Sequence, residues 1–217
     1  MFSETTFKTI GLIIVLMIFG MAIGIYTTPN FREKSADEYM EGVFWPNPKQ
    51  IGQFETMDHQ GRNFGVEQLK GKWSILFFGY TYCPDVCPIT MTIMSDVQAR
   101  LEQAGVVEDA QLLFVTVDPL RDTADRLATY INYFDSRILG LGGTKQQVDS
   151  LVSQIGVVYL HGMPMDDGNY LVDHTASLFL IDPDARLVSI FSTPHDAETI
   201  SSRFFEIKSF LSKLVQY

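Results

Sequence analysis

Two near-continuous apolar runs, WSILFFG at 73–79 and LLFVTV at 112–117, bracket a segment whose apolar residues recur at helical spacing. Runs this short read as strands buried on both faces. Between them Ile89, Ile93, Val97 and Leu101 mark one face of a helix expected from Pro88 to Gln103. Strand, helix, strand in this order gives two parallel strands joined by a right-handed crossover. That unit constrains the rest of the fold, because a parallel pair must be covered on both faces.

The flanking segments supply the cover. Ile51–Asp58 alternates loosely and HQGR at 59–62 is a turn, so a short hairpin opens the domain. Thr123–Phe134 is expected to be a helix with Leu127, Tyr130, Ile131 and Phe134 inward, and Asp122 with Thr123 at its cap. Leu139 and Leu141 mark a brief extended segment. Thr144–Ile155 is a further helix, with Gln147 three residues after Thr144 as in a capping box. Val157–Leu160 is extended, SLFLID (177–182) and LVSIF (187–191) flank a PDAR turn, and Asp196–Val215 closes the chain as a helix. The expected class is α/β: a thioredoxin-like mixed sheet with helices on both faces.

The N-terminus is of another kind. Thr9–Tyr26 is 18 residues without a charge. As a helix it would reach about 27 Å, against roughly 30 Å for a hydrocarbon core. Two membrane readings compete: one N-terminal transmembrane helix, or a signal peptide cut after Gly24, where Ala22 and Gly24 give a small-x-small pattern. The length of the run favours the anchor. Lys8 precedes the span and Arg32 and Lys34 follow it, so loop charge does not orient it. No Arg- and Ser-rich transit peptide lies ahead of it, which favours a bacterial over an organellar protein. The expected division is residues 1–8 as a cytoplasmic N-terminus, 9–26 as the anchor, 27–50 as a proline-bearing tether, and 51–217 as one globular domain. The net charge is −10, and the imbalance lies in the globular part, since residues 1–36 sum to +1 and the rest of the chain to −11. So acidic a surface excludes nucleic acid as a partner, because phosphate binding needs clustered Lys and Arg.

There are two cysteines, Cys83 and Cys87, so no structural disulfide framework exists. They lie in FFGYTYCPDVCPIT, between the first buried strand and its helix, at the carboxyl end of a parallel strand where open α/β sheets place their sites. With Pro88 as the first helical residue, Cys87 lies at the helix N-terminus and Cys83 just before it. The positive end of the helix dipole favours thiolate there. Two such thiolates close a disulfide or grip a soft metal, and the C-x-x-x-C spacing is compatible with both.

Asp118, in TVDPLRD, ends the neighbouring strand at the same sheet edge as Cys83; it is a turn-forming Asp-Pro or a functional group. His174, in DHTASLFLID, comes three residues before an apolar strand. If that strand is antiparallel to the parallel pair, His174 returns to the cysteine loop. Two thiolates and an imidazole form a soft set that suits Cu(I). His59 in the opening turn, His161 in a loop and His195 at the surface near the last helix look less useful. Met163 and Met165, in HGMPMDDG, are candidate passing copper ligands or simply part of a solvated hairpin.

FGYTYCPDVCP, VDPLRDT and VDHTASLFLIDP, in this order over about residues 50–215, resemble the Sco/SenC family of cytochrome oxidase assembly proteins. The resemblance implies a thioredoxin-like domain that binds copper, as Cu(I) and with Cu(II) left open, through Cys83, Cys87 and His174, with Asp118 as a support. It also implies a domain facing the periplasm or the mitochondrial intermembrane space; with the bacterial reading of the N-terminus, the expectation is a single-pass protein of the bacterial inner membrane with its domain in the periplasm. The implied role is delivery of copper, or of reducing equivalents, to the dinuclear copper centre of cytochrome c oxidase subunit II. Other periplasmic copper carriers or thiol reductants would be further partners. A metallochaperone that catalyses no bond change and a thiol–disulfide oxidoreductase are the two functional alternatives; a peroxidase-like or redox-sensing relative is a third.

Overall fold

In the computed structural model, residues 42–44 and 46–214, together with Met17, are described. The expected anchor at 9–26 therefore lies outside the described residues, Met17 apart, as do residues 1–8 and the tether up to 41. Among the described residues no helix is long and apolar enough to cross a membrane. In chain order the elements are β1 (Lys49–Gln50), β2 (Glu55–Asp58), β3 (Asn63–Gly65), β4 (Trp73–Gly79), α1 (Val86–Gln103), β5 (Ala110–Thr116) and α2 (Ala124–Phe134). They continue with β6 (Leu139–Gly142), α3 (Lys145–Ile155), β7 (Tyr159–His161), β8 (Val172–His174), β9 (Leu178–Ile181), β10 (Arg186–Phe191) and α4 (Ala197–Leu214).

Eight strands form one mixed sheet in the order β1-β10-β9-β4-β5-β6-β2-β3. The two apolar runs are its centre. β4 and β5 pair in parallel from Trp73 opposite Ala110 to Gly79 opposite Thr116. Every residue of β4 is buried, so both faces of the sheet are covered there. β6 continues the parallel set beside β5, and β9 runs antiparallel to β4 on the other side. The segment around Leu139 and Leu141 is thus a full strand of the sheet.

Aromatic contacts fasten the layers: Phe77 packs on Phe114 across the parallel pair, Phe78 on Phe179 in β9, and Trp73 edge-on against Phe204 of α4. Phe77, Phe78, Phe114 and Phe204 are fully buried. Helix α1 packs against α4 and α2, α2 against β6, and α3 against β2.

Local signals set the boundaries. Thr144 and Gln147 make the reciprocal capping box that starts α3, and Asp196 accepts from the Thr199 N–H at 2.8 Å to start α4. The hairpins β2–β3 and β9–β10 turn in one way: a buried aspartate accepts from the backbone N–H and the Nε of an arginine four residues on. The pairs are Asp58 with Arg62 and Asp182 with Arg186. Gly61 and Ala185 take the left-handed conformation that these turns require.

Three expectations change. Lys49 and Gln50, assigned to the tether, form an edge strand on β10, and Val43 bridges Ser189. Helix α1 begins at Val86, not Pro88. Proline is tolerated at its third position because first-turn N–H groups have no acceptor within the helix. Asp122 is not a cap: Thr123 alone starts α2, while Asp122 is buried and accepts from Thr81 N, Thr81 Oγ1 and Thr116 Oγ1 at 2.6–2.9 Å. Burial pushes its carboxyl up in spite of these bonds.

Candidate metal centre

The cysteine loop leaves the carboxyl end of β4 and enters α1 within a few residues. Cys87, on the first turn of α1, is completely buried; Cys83, in the loop, is half-buried. The Cys87 N–H donates to Cys83 Sγ at 3.4 Å. Asp85, the residue flanking the helix, makes no side-chain cap. A sulfur therefore stands where a cap oxygen would usually sit.

Gly79 makes room for Cys87. A Cβ at this position would lie 3.0 Å from Cys87 Sγ, 2.9 Å from Phe114 Cε2 and 3.1 Å from a Phe77 ring carbon. Glycine at the end of a buried strand marks such close approaches, and that was the available signal for it in the sequence.

The third group arrives from outside the main sheet. β7 and β8 form their own two-stranded ladder, with Tyr159 opposite His174. His174 Nε2 lies 3.4 Å from Cys87 Sγ although 87 residues separate them in sequence. One ligand atom from each of Cys83, Cys87 and His174 falls within 4.8 Å of the others.

The imidazole is oriented from behind. Its Nδ1 is 3.1 Å from the Thr175 carbonyl oxygen, which accepts only, so Nδ1 carries the proton and the Nε2 lone pair faces the sulfurs. Phe77 and Tyr80 hold the ring edge-on, each with centroids 6.0 Å away. His195, read from sequence as surface, is half-buried and donates to the Ala176 carbonyl at 2.7 Å, bracing the same segment.

The two thiols divide their roles. The hydrogen bond from Cys87 outweighs burial at Cys83 and, together with the Asp85 and Cys87 N–H groups, lowers that thiol to about 4. The same bond, seen from the other side, and burial push Cys87 up. The pair thus holds one negative charge, on the half-exposed sulfur, and one proton, on the buried one.

Asp118 is not part of this cluster. Its buried carboxylate accepts from Arg121 Nε and, at 2.8 Å, from Tyr170 OH, with His161 Nε2 3.6 Å away. It is tied to the hairpin through Tyr170 and His161. Met163 is 88% and Met165 48% exposed on the loop between β7 and β8. His59 is structural, its Nδ1 accepting from the Gly140 N–H at 3.0 Å.

Two sulfurs and an imidazole nitrogen are soft donors, and their types fit Cu(I). Cys83, Cys87 and His174 are the residues that would hold it.

Comparison with known proteins gives the same frame. The mitochondrial SCO2 homolog of Bos taurus is 36% identical over 150 residues, covering 69% of this chain and 56% of the relative. The chain thus spans little more than half the length of that relative. The crystal structure of yeast Sco1 with copper bound superposes with a TM-score of 0.69 at 32% identity, covering 75% of this chain and 90% of that one. The structure of Bradyrhizobium japonicum ScoI with copper bound gives 0.66 at 32% identity, covering 72% and 98%. These structures share the thioredoxin-like arrangement of mixed sheet and helices seen here. The family model described as SCO1/SenC matches residues 46–209, which reach from the edge strand β1 into α4 and include every residue of the cluster, and the chain therefore belongs to the SCO1/SenC family.

Proposed function

We propose that this chain is a copper carrier that takes one Cu(I) on Cys83, Cys87 and His174 and passes it to the dinuclear copper centre of cytochrome c oxidase subunit II. The observation that carries the reading is the convergence of three soft donor atoms within 4.8 Å. The copper in the solved structures of relatives adds to it. In this reading residues 9–26 anchor the chain in a bacterial inner membrane with the domain in the periplasm.

The metal is cargo, and the protein's part is to present ligands in the correct protonation state. Cys83 offers a thiolate and His174 a free lone pair, whereas Cys87 must shed its proton. Loading at neutral pH therefore releases about one proton per Cu(I). The half-exposed Cys83 is the ligand that an incoming acceptor thiol or imidazole reaches first.

The test is titration of the reduced full-length chain with Cu(I) against a chromophoric chelator, with and without His174→Ala. One Cu(I) per chain is expected, with affinity reduced by about 100-fold or more in the variant, since one of three ligands is gone. A wild-type chain that takes up no Cu(I) overturns the proposal.

One observation favours a second reading. An ionised, half-exposed Cys83 beside a buried, protonated Cys87 is the arrangement of an attacking and a resolving thiol. As an oxidoreductase the chain would reduce a partner disulfide, becoming a Cys83–Cys87 disulfide itself, and His174 would be dispensable. Unchanged Cu(I) affinity in His174→Ala, with disulfide exchange intact, would favour this alternative.

A further inference from the structure

Arg121 has an environment that the copper ligands alone do not explain. Its side chain is 15% exposed, and Nε is committed to Asp118. Both terminal nitrogens, Nη1 and Nη2, are buried with no hydrogen-bond partner among the described residues. Leaving charged N–H groups unpaired in a protein interior is costly. What surrounds them is aromatic: the guanidinium carbon lies 3.5 Å from the Tyr170 ring centroid, 4.7 Å from that of Tyr82 and 5.7 Å from that of Tyr80. Ring faces attract a guanidinium, and more strongly where water is excluded.

The three rings belong to the two segments that carry the metal-binding groups. Tyr80 and Tyr82 flank Thr81 in the cysteine loop; Tyr82 is bonded in sequence to Cys83, and Tyr80 packs edge-on against the His174 imidazole. Tyr170 precedes His174 by four residues and leads directly into β8. The Tyr170 hydroxyl also donates to Asp118, the carboxylate that holds Arg121. One planar cation thus touches both segments, and one carboxylate fixes the cation and the hairpin together. This link matters because, among the described residues, β7 and β8 pair only with each other.

We infer that Arg121 is a positioning residue: stacked between the tyrosines of the cysteine loop and Tyr170 of the hairpin, it holds His174 over Cys83 and Cys87. The inference deepens the copper reading, and its consequence for affinity rests on that reading; its consequence for the hairpin does not. Lysine would not substitute, because its ammonium lacks the plane that stacks on rings. Arg126 provides the contrast. It lies 3.8 Å over Tyr82 and donates to Thr81 Oγ1 at 2.8 Å, so its ring contact and side-chain hydrogen bond are both with the cysteine loop.

The test uses the full-length chain with Arg121→Met, Arg121→Lys, Tyr170→Phe and Arg126→Met. In the metal-free, reduced protein, amide exchange at 159–161 and 172–174 should accelerate about 10-fold or more in both Arg121 variants, while β4 and β5 keep their protection. Tyr170→Phe, which removes one hydroxyl and no ring, should move the same amides by less. Arg126→Met should leave them unchanged. Cu(I) affinity should fall about 10- to 100-fold in Arg121→Met, as when a residue that orients a ligand is lost. In a His174→Ala background the same substitution should cost nothing further.

Unchanged hairpin exchange in Arg121→Met overturns the inference. So does equal loosening by Arg126→Met, or an affinity loss that is the same with and without His174. If Arg121→Met does not fold, Tyr170→Phe decides alone, and unaltered exchange in that variant counts against the proposal. A wild-type chain that takes no Cu(I) removes the copper reading but leaves the exchange result to decide the coupling.

Discussion

The cysteine loop and the β7–β8 hairpin contribute to one centre from opposite structural conditions. The loop grows from β4, the strand at the middle of an eight-stranded sheet, and Cys87 is sealed between that strand and α1. The hairpin is a ladder of two three-residue strands, with Val158 at 73% and Leu160 at 68% exposure. Two thiols are thus built into the framework, and the imidazole is delivered by a two-stranded satellite that reaches the core through Val172, with Tyr159 and Tyr170 packed against it. The thiol pair is an outcome of folding the sheet, whereas His174 is held in place by local ties: the Thr175 carbonyl, His195 on the Ala176 carbonyl, the Tyr80 ring, and the Asp118–Arg121–Tyr170 link.

The contrast is open to breaking by substitution. The largest expected effect is that of Phe77→Ala, which empties a fully buried site at the sheet centre and should cost about 3–5 kcal/mol in denaturant unfolding. Leu160→Ala on the hairpin should stay within about 0.5 kcal/mol. Comparable losses at the two positions would mean that the hairpin belongs to the cooperative core.

Next comes Gly79→Ala. The added carbon meets Cys87 Sγ and two aromatic rings at about 3 Å. Overpacking there should cost about 1–3 kcal/mol. A neutral result in urea unfolding would show that β4 has slack beside the sulfur.

Smaller still is Thr175→Val. Thr175 Oγ1 accepts from the Val158 N–H at 3.1 Å and donates to the Val158 carbonyl. Both partners are near solvent, so the loss should be about 0.5–1 kcal/mol and confined to the hairpin, read as faster amide exchange at 158–161.

The smallest expected effect is an absence of change. A thiol lowered to about 4 is already thiolate across the ordinary range. Alkylation of Cys83 by iodoacetamide should therefore keep its rate from about pH 8 to pH 5.5 and fall by half only near pH 4, because protonation removes the nucleophile. A rate that halves near pH 8.5 would contradict the one-charge, one-proton pair.

The framework was legible in the sequence because its signals are local. Two apolar runs, a helical spacing between them, the Thr144–Gln147 box and the DHQGR and DPDAR turns each fix a few neighbouring residues. Cys83 and Cys87 were legible for the same reason. His174 required an argument about strand direction, and the antiparallel pairing of β9 with β4 supplies it. The ties that orient it escaped sequence reading. Arg121 and Tyr170 are 49 positions apart, and nothing in either local pattern announces a stack. Asp122 was misread as a cap because an aspartate before a threonine fits that motif, whereas its three partners come from β5 and the cysteine loop. His195 was read as surface because its partner is a backbone carbonyl, which leaves no trace in composition.

The Thr175 carbonyl has one more consequence. By keeping the ring proton on Nδ1, it spares the imidazole any tautomeric exchange before it donates to a metal. Of the three donors, Cys87 alone must release hydrogen on loading. The step most open to chemical control is therefore buried at the back of the centre, while the side that meets visitors stands ready.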